Sequence, residues 1–185
     1  MAQKQEYVMW GDVNNVPYIT VKNGKFECIL KKIFIDRLLY LSNTPKNITS
    51  AVFPELTAIN SDSGLAYLFN GCSQLTSVSF PKLVTLGGFY NMLSFCSNTA
   101  LTSVSFPELT TLLSSCIFQT AFTDCPKLTS ISFPKLTTVT YPKTAFYQMG
   151  SSTLTVHLPK ALSSLGITND NESNSSSYCK FAYDL

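Results

Sequence analysis

Leu75-Thr76-Ser77-Val78-Ser79-Phe80-Pro81 decides the fold. The same seven letters return at Leu101–Pro107, and Leu128–Pro134 differs by one Val-to-Ile exchange. An earlier copy reads Ile48-Thr49-Ser50-Ala51-Val52-Phe53-Pro54, and a decayed copy closes on Val156-His157-Leu158-Pro159. From Phe53 the landmark phenylalanine advances by 27, 26 and 27 residues to Phe133, and then by 25 to Leu158. A regular period of about 20 to 30 residues marks a solenoid with one coil per repeat.

Each period carries apolar residues on one template, L-x-x-L-x-L-x-x-L-x-x-L. Leu75, Val78, Phe80, Leu83 and Leu86 are matched by Leu101, Val104, Phe106, Leu109 and Leu112. Leu128, Ile131, Phe133, Leu136 and Val139 follow, and Ile48, Ala51, Phe53, Leu56 and Ile59 precede them. Val78 and Phe80 share parity, so both point to one side of a strand while Ser77 and Ser79 point to the other. Stacked coils therefore build continuous apolar columns inside, and one coil alone cannot bury its apolar side. The second half of the period predicts a short helical turn on the far wall. Leu68-Phe69-Asn70-Gly71-Cys72 and Ala121-Phe122-Thr123-Asp124-Cys125 carry it, with Ser94-Phe95-Cys96 and Ala145–Met149 as imperfect copies.

This combination resembles the BspA-type leucine-rich repeat over roughly residues 48 to 162. The resemblance implies a right-handed curved solenoid with a parallel sheet and a binding role. Members of that family are typically bacterial surface or secreted proteins implicated in adhesion. The expected fold is thus an α/β repeat solenoid, strand-rich, with four clear repeats and one degenerate one across residues 48–165. No export signal is visible at the start, Met1-Ala2-Gln3-Lys4-Gln5-Glu6. A phage virion or tail-associated component is the alternative that this start suggests.

The flanks read as caps. In residues 1–47, Val16–Val21 and Lys25–Ile29 surround Asn23-Gly24, a pair that favours positive φ and so a tight hairpin. Leu30, Ile33, Phe34, Leu38 and Leu41 then fall near one helical face, and Pro45 stops the run. A hairpin plus helix is expected to cover the first open end. In residues 166–185, a polar loop from Gly166 to Ser177 leads to Tyr178–Tyr183, which is expected to fold back as the second cap.

Composition narrows the function classes. Charged residues make up 13% of the chain, about half the ordinary share of roughly 25%. The formal net charge of +2 is too small to attract nucleic acid or acidic membrane. No segment approaches the ~20 apolar residues of a membrane span, so membrane insertion is not expected. His157 is the only histidine, which denies the chain a paired-histidine metal motif, and Gly87-Gly88 is no phosphate loop. No catalytic residue, metal ligand or cofactor is assigned. The six cysteines form no C-x-x-C pair. Cys72 and Cys125, two coils apart, lie beyond disulfide reach, and Cys72 with Cys96 is the one pairing that adjacent coils permit.

Two surface patterns remain. The residues after each proline, Glu55, Lys82, Glu108 and Lys135, alternate in sign and form a ladder if the coils stack. Ser77, Ser79, Ser103, Ser105, Ser130 and Ser132 make an outward hydroxyl face beside Thr76, Thr102 and Thr129. That face suits a protein or glycan ligand. It also suits a sheet whose small side chains simply tolerate tight stacking. Tyr90, Tyr141 and Tyr147 lie in the more variable segments, as binding anchors or as gap fillers.

Overall fold

The structure is a computed structural model. It describes residues 7–11, 17–29, 32–33, 47–60, 65, 68–69, 71–88, 100–115, 117–147, 149, 153–167 and 179–185.

Each heptad forms a three-residue strand: β5 (Ser50–Val52), β7 (Ser77–Ser79), β9 (Ser103–Ser105) and β11 (Ser130–Ser132). The proline after each phenylalanine lacks an N–H and ends the strand. A turn follows, and the template's last apolar residue closes a second strand two residues long. These are β6 (Ala58–Ile59), β8 (Thr85–Leu86), β10 (Thr111–Leu112) and β12 (Thr138–Val139). Parallel pairing places Ser50 beside Ser77 beside Ser103, and Ile59 beside Leu86 beside Leu112 beside Val139. All twenty template positions are buried, from Ile48 to Val139. The alternation of strand side chains therefore divides the coil as the heptad requires, with serines out and aliphatics in.

Inside, the landmark phenylalanines stack face to face. Ring centroids lie 4.7 Å apart for Phe53–Phe80, 5.1 Å for Phe80–Phe106 and 5.3 Å for Phe106–Phe133. Strand spacing of about 4.8 Å brings equivalent rings to stacking distance, so the column follows from the repeat itself. A second aromatic file on the far wall includes Phe118 and Phe146 at 5.5 Å, with Phe181 edge-on to Phe146 at 5.6 Å.

The ladder runs past the heptad copies at both ends. Asn23 and Gly24, at φ 50° and 74°, turn β2 (Pro17–Lys22) into β3 (Lys25–Cys28) as an antiparallel hairpin. β1 (Tyr7–Gly11) pairs antiparallel with β2, while β3 pairs parallel with β5, Phe26 beside Ala51. At the other end β13 (Thr155–Leu158) pairs with β11, and β14 (Lys180–Tyr183) pairs with β13. Residues 160–165 between them form a six-residue 3-10 helix that buries Leu162.

The helix expected over Leu30–Leu41 is corrected. Lys32–Ile33 is a strand, β4, which sets Ile33 in parallel register with Ile59. The spacing fits a helical face, but edge pairing with β6 satisfies backbone groups that the array would otherwise leave open. The remainder of that stretch lies outside the described residues. On the far wall the short helical turns expected from the sequence are single turns among the described residues. Successive N–H groups bond three residues back, as in Ala121 to Phe118 and Cys125 to Phe122.

The long sheet is not continuous. Among the described residues β1-β2-β3-β5-β7-β9 form one sheet and β11-β13-β14 another, with no ladder joining β9 to β11. Phe53, Phe80 and Phe133 each donate an N–H to the following coil, whereas Phe106 makes no such bond among the described residues. The shorter sheet, β4-β6-β8-β10-β12, crosses this gap unbroken.

Candidate functional site

Three columns of side chains face outward along the long wall. The first is threonine, and from Thr49 to Thr102 it is already engaged. Thr76 donates both its N–H and its hydroxyl to Thr49 O, at 2.9 Å each. Thr102 does the same to Thr76 O, and Thr49 to Gly24 O. The second strand repeats the device, with Thr110 on Val84 O and Thr137 on Thr110 O, both at 3.3 Å. A β-branched hydroxyl held beside the backbone reaches the carbonyl of the preceding coil, so these threonines staple coils together.

The serine columns differ. Ser77 and Ser79 are half-buried and Ser103, Ser105, Ser130 and Ser132 are exposed. None of the six hydroxyls makes a hydrogen bond among the described residues. One column runs Lys25, Ser50, Ser77, Ser103 by strand pairing, and then Ser130, Thr155, Lys180 on the far side of the gap. The other runs Glu27, Val52, Ser79, Ser105, then Ser132, His157, Ala182. At the hairpin end a cleft of about 370 Å³ opens on this face, lined by Lys22, Lys25, Glu27 and Ser50 among others. That volume is within the range of small-ligand sites.

The repeat template, its burial and its parallel register are those of one repeat family. A family model described as the BspA type leucine rich repeat region matches residues 15–120 and 40–168, with six copies. The chain belongs to the BspA-type leucine-rich repeat family. Comparison with curated proteins and with solved structures gives no match.

Within this BspA-type array the charged positions close in pairs. Lys82 Nζ lies 2.8 Å from Glu55 Oε1, and Lys135 Nζ lies 2.6 Å from Glu108 Oε1. Lys82 and Glu108 form no ion pair among the described residues, so the four charges make two bridges. All four side chains are about half exposed, which limits each bridge to roughly 0 to 1 kcal/mol. Tyr147 is half-buried and Tyr141 exposed, while Tyr90 and Cys96 lie outside the described residues. Cys72 and Cys125 are buried.

His157 carries a contact that sequence reasoning missed. Its Nδ1 donates to the Asp184 carboxylate at 2.9 Å, and its strand neighbour is Ser132. Ser132 on β11, His157 on β13 and Asp184 just past β14 thus lie in order. A nucleophile needs a hydrogen bond to its base, and no such bond joins Ser132 to the ring. The imidazole also sits on an open face, with 30% of its side-chain surface accessible. The pair tethers β14 and does not form a hydrolytic triad. Only a register carried as far as Asp184 would have shown it, and the decayed last repeats hide that register.

Two exposed apolar side chains, Val84 and Leu113, were missed beside the Tyr141 already named. Val84, Leu113 and Tyr141 are 40%, 44% and 47% exposed, on three successive coils around the shorter sheet. The signal was in the alignment: Val84 stands where its neighbours in register are Thr57, Thr110 and Thr137.

Proposed function

We propose that this chain is a non-enzymatic binding module that recognises a protein or glycan through the outward face of its long wall. The family in which it falls is generally a binding scaffold, typically surface-displayed or secreted in bacteria, and we place this chain's work there. One observation carries the reading. The Thr49, Thr76 and Thr102 hydroxyls are engaged between coils, whereas the six serine hydroxyls, one and three residues further along the strands, make no hydrogen bond among the described residues. Spaced by about 4.8 Å between β7 and β9 and continued by Ser130 and Ser132 across the gap, they offer donors and acceptors on small side chains. The mixed-charge cleft beside Lys25 and Glu27 supplies a concave end to that surface.

Unbiased glycan and extracellular-matrix arrays probed with the purified chain test this. At least one hit is expected, abolished by Ser105→Trp and retained by Leu113→Ser on the other sheet. Silence on both arrays sinks the reading. A hit lost only with Leu113→Ser moves the site to the Val84–Tyr141 patch.

A further inference from the structure

One edge of β14 carries no strand among the described residues, and its other edge pairs with β13. Lys180 N–H donates to Leu154 O at 2.8 Å, which fixes the direction of the amides along the strand. Successive amides alternate, so Phe181 and Tyr183 turn their N–H and C=O groups toward the open side. Side chains alternate between faces. Lys180 and Ala182, in register with Thr155 and His157, lie on the serine face, and Phe181 and Tyr183 lie against the core. Both aromatic rings remain partly exposed, and Leu165 and Leu185 of the same coil are 41% and 48% exposed.

The five residues Lys180-Phe181-Ala182-Tyr183-Asp184 are chemically self-complementary about Ala182. We propose that β14 is the pairing edge of a two-fold homodimer, with two copies of β14 aligned antiparallel and Ala182 on the axis. This register sets Lys180 opposite the partner's Asp184 and Phe181 opposite the partner's Tyr183. The aromatic pair is also the one whose backbone groups face the open side, as a hydrogen-bonded antiparallel pair demands. A slip of two residues sets Lys180 opposite alanine and loses both ion pairs. A slip of one drives the side chains to the wrong faces.

The charges favour a second copy over an unrelated strand. Lys180 is exposed and makes no ion pair among the described residues. Asp184 has one donor, His157, and its two oxygens can accept more. Two-fold pairing uses both edges at once and closes the assembly at two chains. The inference stands apart from the ligand-binding reading, because it concerns the end of the array and not its face.

Sedimentation equilibrium of the full chain at low salt, over a dilution series, tests it. Wild type is expected to approach twice the 20.4 kDa chain mass. Lys180→Glu and Asp184→Lys each oppose like charges twice, and each should weaken association at least tenfold. An equimolar mixture of the two restores opposite pairs and should recover the dimer. Circular dichroism confirms that the variants fold. If Asp184→Lys does not fold, Phe181→Pro replaces it. That change removes an outward N–H and spares those facing β13, so it should give a folded monomer. A wild type that stays monomeric, or forms larger assemblies, overturns the proposal. So does a dimer indifferent to Lys180→Glu, or a mixture of folded variants that stays monomeric.

Discussion

Thr102 and Ser103 are adjacent hydroxyl residues with opposite roles. The Thr102 hydroxyl lies 3.0 Å from Thr76 O, while Ser103 is exposed and unengaged. Thr102→Val keeps the shape and removes the bond. It should cost about 0.5–1.5 kcal/mol, and Ser103→Ala close to nothing, in chemical denaturation of the two variants. Equal effects would erase the distinction on which the binding face rests. Lys82→Glu opposes two carboxylates where Glu55 now meets an ammonium. A loss of about 0.5–1 kcal/mol is expected, or roughly 1–4 °C in Tm for a chain of this size. Thermal scans should show that difference shrink in 1 M salt, where the screening length falls to about 3 Å. Lys127→Glu, at another exposed lysine, should leave Tm unchanged. The sequence displayed both hydroxyl types in register, but parity alone could not separate them. Which oxygen reaches the preceding carbonyl depends on the β-branch and on backbone spacing.

At the scale of elements, the hairpin was legible because Asn23-Gly24 states its own geometry. A Cβ on Gly24 would stand 3.0 Å from Asn47 O and 3.1 Å from Thr49 Oγ1, at φ 74°. Gly24→Ala should therefore cost more than the ~1 kcal/mol of an ordinary positive-φ substitution, measured by urea titration. At Lys32–Ile33 the helical reading failed because an apolar run fits two periods, and only the neighbouring strand decides between them. β14 was anticipated as a cap, yet its parallel register beside β13 had no repeat letters to announce it. Its Tyr183 hydroxyl is pushed above its ordinary value of 10.0 by burial. The neutral form is thus favoured in the folded chain. This contribution is complete below pH 10 and is lost as pH rises toward the folded value. Tyr183→Phe should remove that alkaline loss, read as the stability difference between pH 9 and pH 11 by urea titration.

For the whole molecule, stability is shared between coils and cannot be assigned to any one of them. Phe80→Ala opens the stack between Phe53 and Phe106 and should cost about 3–5 kcal/mol. Phe106 adds a second reading. Its ring stacks on Phe133 across the gap in the long wall, while its N–H makes no bond across it among the described residues. Hydrogen exchange should release the Phe106 amide earlier than those of Phe80 and Phe133, whose bonds to the next coil are in place. The larger consequence is mechanical. Because the shorter sheet and the ring stack cross the gap, tension applied to the two ends would part the long wall there first. The remaining connections would act as a hinge, so the six serines belong to two plates, Ser77 to Ser105 on one and Ser130 with Ser132 on the other. A curved or flexing ligand could be followed by a change of angle between plates, with each plate staying rigid.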